Sequence, residues 1–282
     1  MAVPLYRFRR MATIVSLHAH PDDESITVAG LLARSADAGH RVVLVFGTRG
    51  ELGTPVEGAL AEGEQLAIRR TSECYESARV LGAERVEFLG YVDSGMMGDE
   101  TNDHPWVFWQ ADLEQAANRL AAILREEEAD LLTTYDDHGG YGHPDHIQVH
   151  RVGTRAAELV RDELPGLRVF EATMNRDDAR RGFEEMRAAG MVLDAEEDWD
   201  VDGPMDDGNP MGTPEAELTM VVDVSPYVGR KRAAIAAHRS QVTDSGFFLA
   251  IPDDVFDRAF GREWFVEHGV EPGVREGWLL AD

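Results

Sequence analysis

Short apolar runs alternate with longer amphipathic segments along the first two thirds of the chain. The runs are rich in β-branched residues, as in strands that are buried on both faces. They predict strands at residues 12–17, 41–46, 84–89, 130–134 and 167–172. The segments between them carry apolar residues at helical spacing. They predict helices at residues 24–38, 64–81, 110–127, 148–163 and 177–189.

Strands that alternate with helices indicate a mainly parallel sheet between two helical layers. We therefore expect an α/β fold, a Rossmann-like three-layer sandwich. Residues 194–217 break the pattern because they are acidic and rich in Gly, Pro and Met. This composition predicts a surface loop, with a lid as the alternative. No repeat or linker divides the chain, so we expect one domain over residues 11–282, with residues 1–10 as an N-terminal extension.

The composition limits the kinds of partner and the cellular location that we expect for this protein. The net charge of -26 repels phosphate backbones, so we expect no nucleic-acid partner. No apolar run is long enough to span a membrane. The single cysteine, Cys74, excludes an internal disulfide, and no signal peptide is recognisable, which together predict a cytoplasmic protein. A homo-oligomer is left open, because the sequence does not indicate the oligomeric state.

A dense cluster of ionisable residues follows the first predicted strand. Two imidazoles and three carboxylates occur within seven residues, which are His18, His20, Asp22, Asp23 and Glu24. So much charge is too costly for an apolar core unless it is paired or binds a cation. Acids at the start of a helix are the simpler explanation, since the helix dipole favours them there. The second histidine cluster makes a cation site the better interpretation.

That second cluster, His143-Pro144-Asp145-His146, follows the fourth predicted strand. Ligands of parallel α/β sheets bind at the carboxyl ends of the strands. Both clusters lie at such ends, so we expect them to meet in space and form one site.

The residue types suit a hydrolytic zinc site, which needs about three protein ligands and an open position for water. His20 and Asp23 are three residues apart across a strand-to-helix turn, and His146 is the natural third ligand. Asp22 is placed to act as a general base. His143 can act as a general acid or stabilise charge as an imidazolium.

Other members of the clusters have supporting roles in this interpretation. Asp145 can orient a histidine through its second ring nitrogen. His18 is two residues before His20 on the strand, so we expect it beneath the ligands, in the second shell. Glu24 is expected to support the helix that follows.

The two motifs, in this order on an alternating β/α chain, resemble the signature of the PIG-L (LmbE-like) zinc-dependent N-deacetylases. The resemblance is to the bacterial N-acetylglucosaminide and mycothiol-type members. It implies a Zn²⁺ hydrolase, with Fe²⁺ as the alternative metal, that removes an N-acyl group, first of all N-acetyl, from a glucosamine-containing small molecule. It implies His20, Asp23 and His146 as metal ligands, Asp22 as the base and His143 as its partner.

The resemblance adds residues that spacing alone does not indicate. Tyr141 resembles a mobile tyrosine that helps to bind the oxyanion, and Arg70 and Asp93 resemble contacts to substrate hydroxyls. Two simpler roles remain open: Arg70 can pair with a neighbouring glutamate, and Asp93 can support a turn. Residues 237–241 resemble a later segment of the family, for which the sequence indicates no role.

Three alternative functions compete with an N-deacetylase. The first is a hydrolase of the mycothiol S-conjugate amidase type. The second is a non-haem Fe(II) enzyme, because two histidines and one carboxylate also bind that ion. The third is a non-catalytic metal-binding or sugar-binding module. The loops at residues 48–63, 92–108 and 194–217 would surround the site and set substrate choice.

Overall fold

A computed structural model describes residues 11–188, 200–243 and 246–280. The predicted extension at residues 1–10 and the first part of the acidic loop, residues 194–199, lie outside the described residues. The strands are β1 (Thr13–His18), β2 (Arg41–Phe46), β3 (Arg85–Phe88), β4 (Leu131–Tyr135), β5 (Arg168–Thr173), β6 (Met220–Asp223), β7 (Arg262–Glu267) and β8 (Arg275–Glu276).

Helices connect these strands on both faces. The helices are α1 (Asp23–Thr27), α2 (Ala29–Asp37), α3 (Leu66–Leu81), α4 (Leu113–Glu126), α5 (Pro144–Leu159), α6 (Arg176–Ala188), α7 (Val228–Ala237), α8 (Phe247–Ala250) and α9 (Asp253–Phe260). None of the helices in the described ranges is both long and apolar enough to cross a membrane.

The eight strands form one sheet in the order β3-β2-β1-β4-β5-β7-β6-β8. The strands β1 to β5 run parallel to one another, whereas β7 runs antiparallel to both of its neighbours, β5 and β6. The prediction of an α/β fold with a mainly parallel sheet is confirmed. The chain order reverses between β1 and β4, which is the point where such sheets bind ligands.

Two apolar cores lie on the two faces of the sheet, because successive strand residues point to opposite sides. Ile14 of β1 packs in the core that contains α2, α3 and α7, and the next residue, Val15, packs in the core that contains α4 and α5. This is the expected three-layer arrangement. The division of the chain into domains stays a prediction.

Two predicted element boundaries are wrong. The single helix expected at residues 24–38 is broken at Val28, whose φ of -131° is not helical. The carboxylate of Glu263 on β7 accepts the N–H groups of Gly30 and Leu31, both at 2.8 Å, and so caps a separate α2. The helix expected from residue 148 begins earlier, at Pro144, which suits the first turn of a helix.

Candidate metal centre and active site

The two histidine clusters meet at the carboxyl edge of the sheet. β1 ends at His18, and the first cluster turns from there into α1. The second cluster begins α5, with His143 as its N-cap residue. Since β1 and β4 are neighbours, the rings of His20 and His143 lie 4.7 Å apart and those of His20 and His146 lie 5.4 Å apart. The expected convergence of the clusters is therefore present.

Three buried side chains form a group that fits a metal ion. The candidate ligand atoms of His20, Asp23 and His146 all lie within 4.8 Å of one another. Nδ1 of His20 is 3.5 Å from Oδ2 of Asp23, and Nε2 of His146 is 3.4 Å from Oδ1 of the same carboxylate. The two imidazoles thus approach the two oxygens of one carboxylate.

The hydrogen bonds of the other ring nitrogens support this group. Nε2 of His20 lies 3.1 Å from Oδ2 of Asp145, and Nδ1 of His146 lies 3.2 Å from the carbonyl oxygen of Gly139. Both partners are acceptors, so these ring nitrogens carry the protons. The remaining lone pairs, on Nδ1 of His20 and Nε2 of His146, face Asp23. Two nitrogens and a carboxylate oxygen are a donor set that zinc uses in hydrolases.

Asp145 is fully buried and held in place from a neighbouring loop. The backbone N–H of Ser94 donates to its Oδ2 at 3.0 Å, and the Ser94 hydroxyl donates to its Oδ1. The carboxylate therefore fixes the ring of His20 through the nitrogen that does not face Asp23.

A second set of ligand atoms, from His20, His143 and Asp145, also lies within 4.8 Å. Its members are already occupied by hydrogen bonds. Nδ1 of His143 accepts the backbone N–H of Asp145 at 3.1 Å, and Ser94 engages both carboxylate oxygens. The group with Asp23 is therefore the better metal site.

The ionisable side chains of the site shift one another's pKa values. Burial by itself would lower the pKa of His20, but Asp93, Asp145 and Asp23 together raise the pKa well above its usual value. Burial would also raise the pKa of Asp23, yet the pKa is held well below its usual value by His146 and His20. The carboxylates that favour a proton on His20 provide the same negative charge that a divalent cation requires.

Asp22 is held in an unusual conformation at the edge of this group. Its φ is +117°, a region that side chains avoid and that costs about 1–3 kcal/mol. Its side chain is 21% exposed, against 0% for Asp145, so a water can reach it. Burial and the charge of Asp23 raise the pKa of Asp22, while Arg70 opposes the rise. A carboxylate with a raised pKa is suited to accept a proton.

Arg70, on α3, holds this turn. Its guanidinium lies 3.1 Å from Oδ1 of Asp22, donates to the carbonyl oxygen of Pro21 at 2.6 Å and donates to that of Gly50 at 3.1 Å. Gly50 has a φ of +65°, and a Cβ there would lie 2.1 Å from the guanidinium. The loop after β2 must therefore carry glycine at this position for Arg70 to reach Asp22.

Arg70 does not pair with either of its neighbouring glutamates. Glu64 forms a salt bridge with Arg69 at 2.6 Å, and Glu73 accepts the N–H of Ser240 at 2.9 Å. The simpler role considered for Arg70 is therefore replaced by a direct contact with Asp22.

Asp93 both faces the site and supports its loop. Its Oδ1 is 3.6 Å from Nε2 of His20, and the carboxylate accepts the N–H groups of Gly95 at 2.9 Å and Leu52 at 3.2 Å. Burial would raise its pKa, but His20 and the Gly95 hydrogen bond hold the pKa of Asp93 below its usual range. Its contact with substrate hydroxyls stays a prediction.

Tyr141 and His143 border the ligand group. The hydroxyl of Tyr141 is 3.4 Å from Nε2 of His146, and burial raises the pKa of this phenol, so it remains protonated. Burial, followed by repulsion from His20 and His146, lowers the pKa of His143 to about 2. Because Nδ1 of His143 accepts a hydrogen bond, its neutral ring carries the proton on Nε2. The resting ring is therefore neutral, and its role as a general acid or as a charge-stabilising imidazolium stays a prediction.

His18 lies beneath the site. Its Nε2 is bonded to the Ser16 hydroxyl at 2.7 Å, and its Nδ1 to the Tyr135 hydroxyl at 3.0 Å. Burial lowers the pKa of His18 to about 4, so this ring is neutral. The Tyr135 ring lies 4.8 Å from the ring of His146, so His18 supports the candidate ligand His146 through Tyr135.

The sequence missed three supporting residues. Ser94 adjoins the candidate Asp93, which was a signal, and Tyr135 is the last residue of a buried strand. His238 bonds to the fully buried Glu24 at 2.8 Å. Nothing in its sequence position indicates this contact, because the two residues are 214 positions apart.

A Rossmann-like α/β sheet with a buried His–His–Asp group at the reversal of strand order is the arrangement expected of a metal-dependent hydrolase. Comparison with known proteins identifies the family. The family model PIG-L, described as GlcNAc-PI de-N-acetylase, matches residues 15–157, about half of the chain. The chain belongs to the PIG-L family.

Relatives match over most of the chain. It is 40% identical over 263 residues to a protein of Acidothermus cellulolyticus named 1D-myo-inositol 2-acetamido-2-deoxy-alpha-D-glucopyranoside deacetylase, covering 90% of this chain and 88% of that protein. It is 37% identical to a Thermomonospora curvata protein of the same name, covering 89% of each. The crystal structure of the conserved protein TT1542 from Thermus thermophilus has the same fold, with a TM-score of 0.56 and 20% identity over 96% of this chain and all of that one.

These comparisons confirm the predicted family and the predicted enzyme class. The chain is an N-deacetylase, an amide hydrolase that acts on a C–N bond other than a peptide bond. The S-conjugate amidase, the non-haem Fe(II) enzyme and the non-catalytic binding module are not favoured.

Proposed function

We propose that the enzyme removes the N-acetyl group from an N-acetylglucosamine-containing small molecule. The first candidate is 1D-myo-inositol 2-acetamido-2-deoxy-alpha-D-glucopyranoside. The observation that carries this proposal is 40% identity, over 90% of the chain, to a protein named for that reaction. The match also covers 88% of that protein, so it extends over most of both chains. The predicted cytoplasmic location and a homo-oligomeric state stay predictions.

The proposed metal is Zn²⁺, with Fe²⁺ as the alternative, held by His20, Asp23 and His146. Support comes from the donor set and from the hydrogen bonds that leave one lone pair on each imidazole facing Asp23. When bound, such an ion polarises the acyl carbonyl and lowers the pKa of a water molecule toward ~7.

Asp22 is the proposed general base. Its carboxylate takes a proton from the attacking water, and Arg70 keeps that carboxylate oriented through the contact at 3.1 Å. Once protonated, Asp22 can return the proton to the glucosamine nitrogen as the C–N bond breaks. The leaving group then departs as a neutral amine.

Tyr141 and His143 are the proposed donors to the carbonyl oxygen, which becomes negative during the attack. The phenol keeps its proton and the neutral imidazole carries its proton on Nε2, so both can donate hydrogen bonds. Donors fixed before the reaction stabilise such charge most effectively. Arg70 and Asp93 remain predicted contacts for sugar hydroxyls, although each already has partners within the protein.

The test is amine release from a panel of substrates. The panel contains the inositol glucosaminide, free N-acetylglucosamine, N,N'-diacetylchitobiose and a mycothiol-type S-conjugate, each assayed with enzyme reconstituted with Zn²⁺ or Fe²⁺ without oxygen. We expect the fastest release of glucosaminyl amine from the inositol glucosaminide, and loss of release after chelation. Faster turnover of the S-conjugate or chitobiose would contradict the proposed substrate. No amine from any panel member would contradict the proposed reaction on this class of molecule.

A further inference from the structure

We propose that Glu24 is a positioning residue for the base Asp22, and that His238 completes this support from the far end of the chain. The inference rests on the proposed function, in which Asp22 accepts the proton. It also gives His238 and Ser240, within residues 237–241, a role that the sequence alone did not indicate.

The backbone of Asp22 needs an external restraint. Its φ of +117° is unfavourable for a residue with a side chain, so the surrounding contacts must hold it. The N–H of Asp22 donates to Oε2 of Glu24 at 2.9 Å, and its carbonyl oxygen accepts the Ser25 hydroxyl at 2.6 Å. Glu24 therefore engages the backbone donor of the strained residue itself.

The side chain of Glu24 is held in place by several hydrogen bonds. The residue is fully buried, and its second oxygen, Oε1, accepts Nε2–H of His238 at 2.8 Å and the hydroxyl of Ser77. Three donors from three parts of the chain converge on this one carboxylate. Such a network restricts its rotation, and through the hydrogen bond to Asp22 it restricts the turn that carries the base.

The end of α7 is anchored separately, so His238 does not depend on Glu24 for its position. α7 ends at Ala237, and two residues after His238 the N–H and hydroxyl of Ser240 donate to Glu73 at 2.9 and 2.6 Å. His238 is itself fully buried, and its Nδ1 has no hydrogen-bond partner within the described part of the chain. A histidine with one unsatisfied nitrogen is costly for packing alone, which favours a role for its bond to Glu24.

A matched carboxylate elsewhere in the fold separates positioning from packing. Glu263 is also buried, and it accepts two backbone N–H groups, of Gly30 and Leu31, and the ammonium of Lys231 at 2.9 Å. Its described contacts include none of the proposed catalytic residues. If buried carboxylates act only on stability, Glu24 and Glu263 variants should behave alike.

The experiment is a double-mutant cycle between Asp22→Ala and Glu24→Ala, with kcat, KM and bound metal measured for each variant. We expect Glu24→Ala to lower kcat on the order of a hundredfold, with KM and metal content unchanged. In the Asp22→Ala background the same change should cost nothing further. Glu24→Gln, which keeps an acceptor for the Asp22 N–H, should recover most of kcat. Glu263→Ala should lower the melting temperature and leave kcat unchanged.

Two kinetic outcomes would overturn the proposal: wild-type kcat in Glu24→Ala, or an equal loss of kcat in both backgrounds. A crystal structure of Glu24→Ala provides a readout that does not depend on the substrate. We expect Asp22 to relax to a negative φ, and a φ that stays near the wild-type value would overturn the proposal. If instead the wild-type enzyme releases no amine from the panel while Asp22 relaxes in the variant, the proposed function fails and the positioning contact stands.

Discussion

The parallel part of the molecule and its C-terminal part contribute different kinds of residue to the site. The parallel part, residues 13–173, provides all the proposed ligands, the proposed base and the proposed oxyanion donors. The C-terminal part, the described residues of 200–280, provides partners for the residues and helices that lie behind these groups. Examples are His238 against Glu24 and Glu263 against the start of α2.

The acidic segment belongs to the supporting part. Arg176 donates to three successive carbonyl oxygens, those of Pro210, Met211 and Gly212, and the N–H of Gly212 donates to the carbonyl oxygen of Gly140 at 2.8 Å. The described part of the segment is thus tied to the loop that carries Tyr141. These hydrogen bonds support the loop that carries Tyr141; the surface loop expected from the sequence and its alternative, a lid, stay predictions.

The two parts differ in how their contributions are distributed along the chain: the proposed catalytic residues are close together in sequence, and the residues that hold them are not. Ligands and base lie within two short motifs, because a strand end and the adjoining turn can present several side chains to one point. Support comes from residues distant in sequence, because it depends on which elements pack behind the site. The match to the family model, over residues 15–157, covers only the first of these two parts.

The largest expected effect comes from removing a ligand in the parallel part. His146→Ala should lose bound metal and lower kcat by more than ~10⁴-fold, because the metal is expected to supply both the nucleophile and charge stabilisation. Elemental analysis and amine release measure the two effects. His150→Ala, one turn further along α5, is the control, since His150 instead contacts the Tyr135 carbonyl oxygen at 3.0 Å. Full metal content in His146→Ala would exclude this residue as a ligand.

Loss of the base should be the next largest effect. Asp22→Asn should lower kcat by about 10²–10⁴-fold while the protein keeps its metal, because Asn cannot accept the proton from water. Asp112→Asn, which removes a charge from the exposed start of α4, should retain normal kcat. Near-normal turnover of Asp22→Asn at saturating metal would show that another group is the base.

Removing Arg70 should change the pH dependence more than the maximal rate. Arg70 opposes the rise in the pKa of Asp22, so Arg70→Ala should raise that pKa further. The reaction needs ionised Asp22, so the acidic limb of kcat/KM should move to higher pH. At neutral pH we expect a loss of about tenfold, a fraction of what the base supplies. Arg70→Lys keeps the charge and should shift the limb less; an unmoved limb in Arg70→Ala would argue against the contact.

The sequence predicted the parallel part well, and the reasons are local. The apolar runs gave β1 to β5, and the motifs identified side chains that converge because β1 and β4 are neighbours. The break at Val28 was missed because its cause, Glu263, lies on a strand more than 230 residues away. β7 was also missed. It lies between β5 and β6 in the sheet, and nothing in the sequences of those two strands indicates an antiparallel strand between them.

In the candidate site, too, local features could be predicted from the sequence and contacts between distant residues could not. The convergence of His20, Asp23 and His146 could be predicted from their spacing and from the position of both motifs at the carboxyl ends of predicted strands. The protonation of His143 could not, because it depends on the Asp145 N–H and on two nearby imidazoles. Nor could the contact between Arg70 and Asp22, which requires the loop at Gly50 to pass close to α3.

The smallest effect on turnover should come from the supporting part away from Asp22. Glu263→Leu removes a buried partner of Lys231 and leaves the N–H groups of Gly30 and Leu31 without their acceptor. Breaking a buried ion pair in this way should lower the free energy of unfolding by about 3–5 kcal/mol. Lys231→Met should cost less, because Glu263 keeps both N–H donors. Denaturant unfolding measures the difference, and equal losses would mean that the cap on α2 contributes little. In both variants the folded enzyme should keep its kcat, because Glu263 supports the start of α2 while Glu24 supports the base.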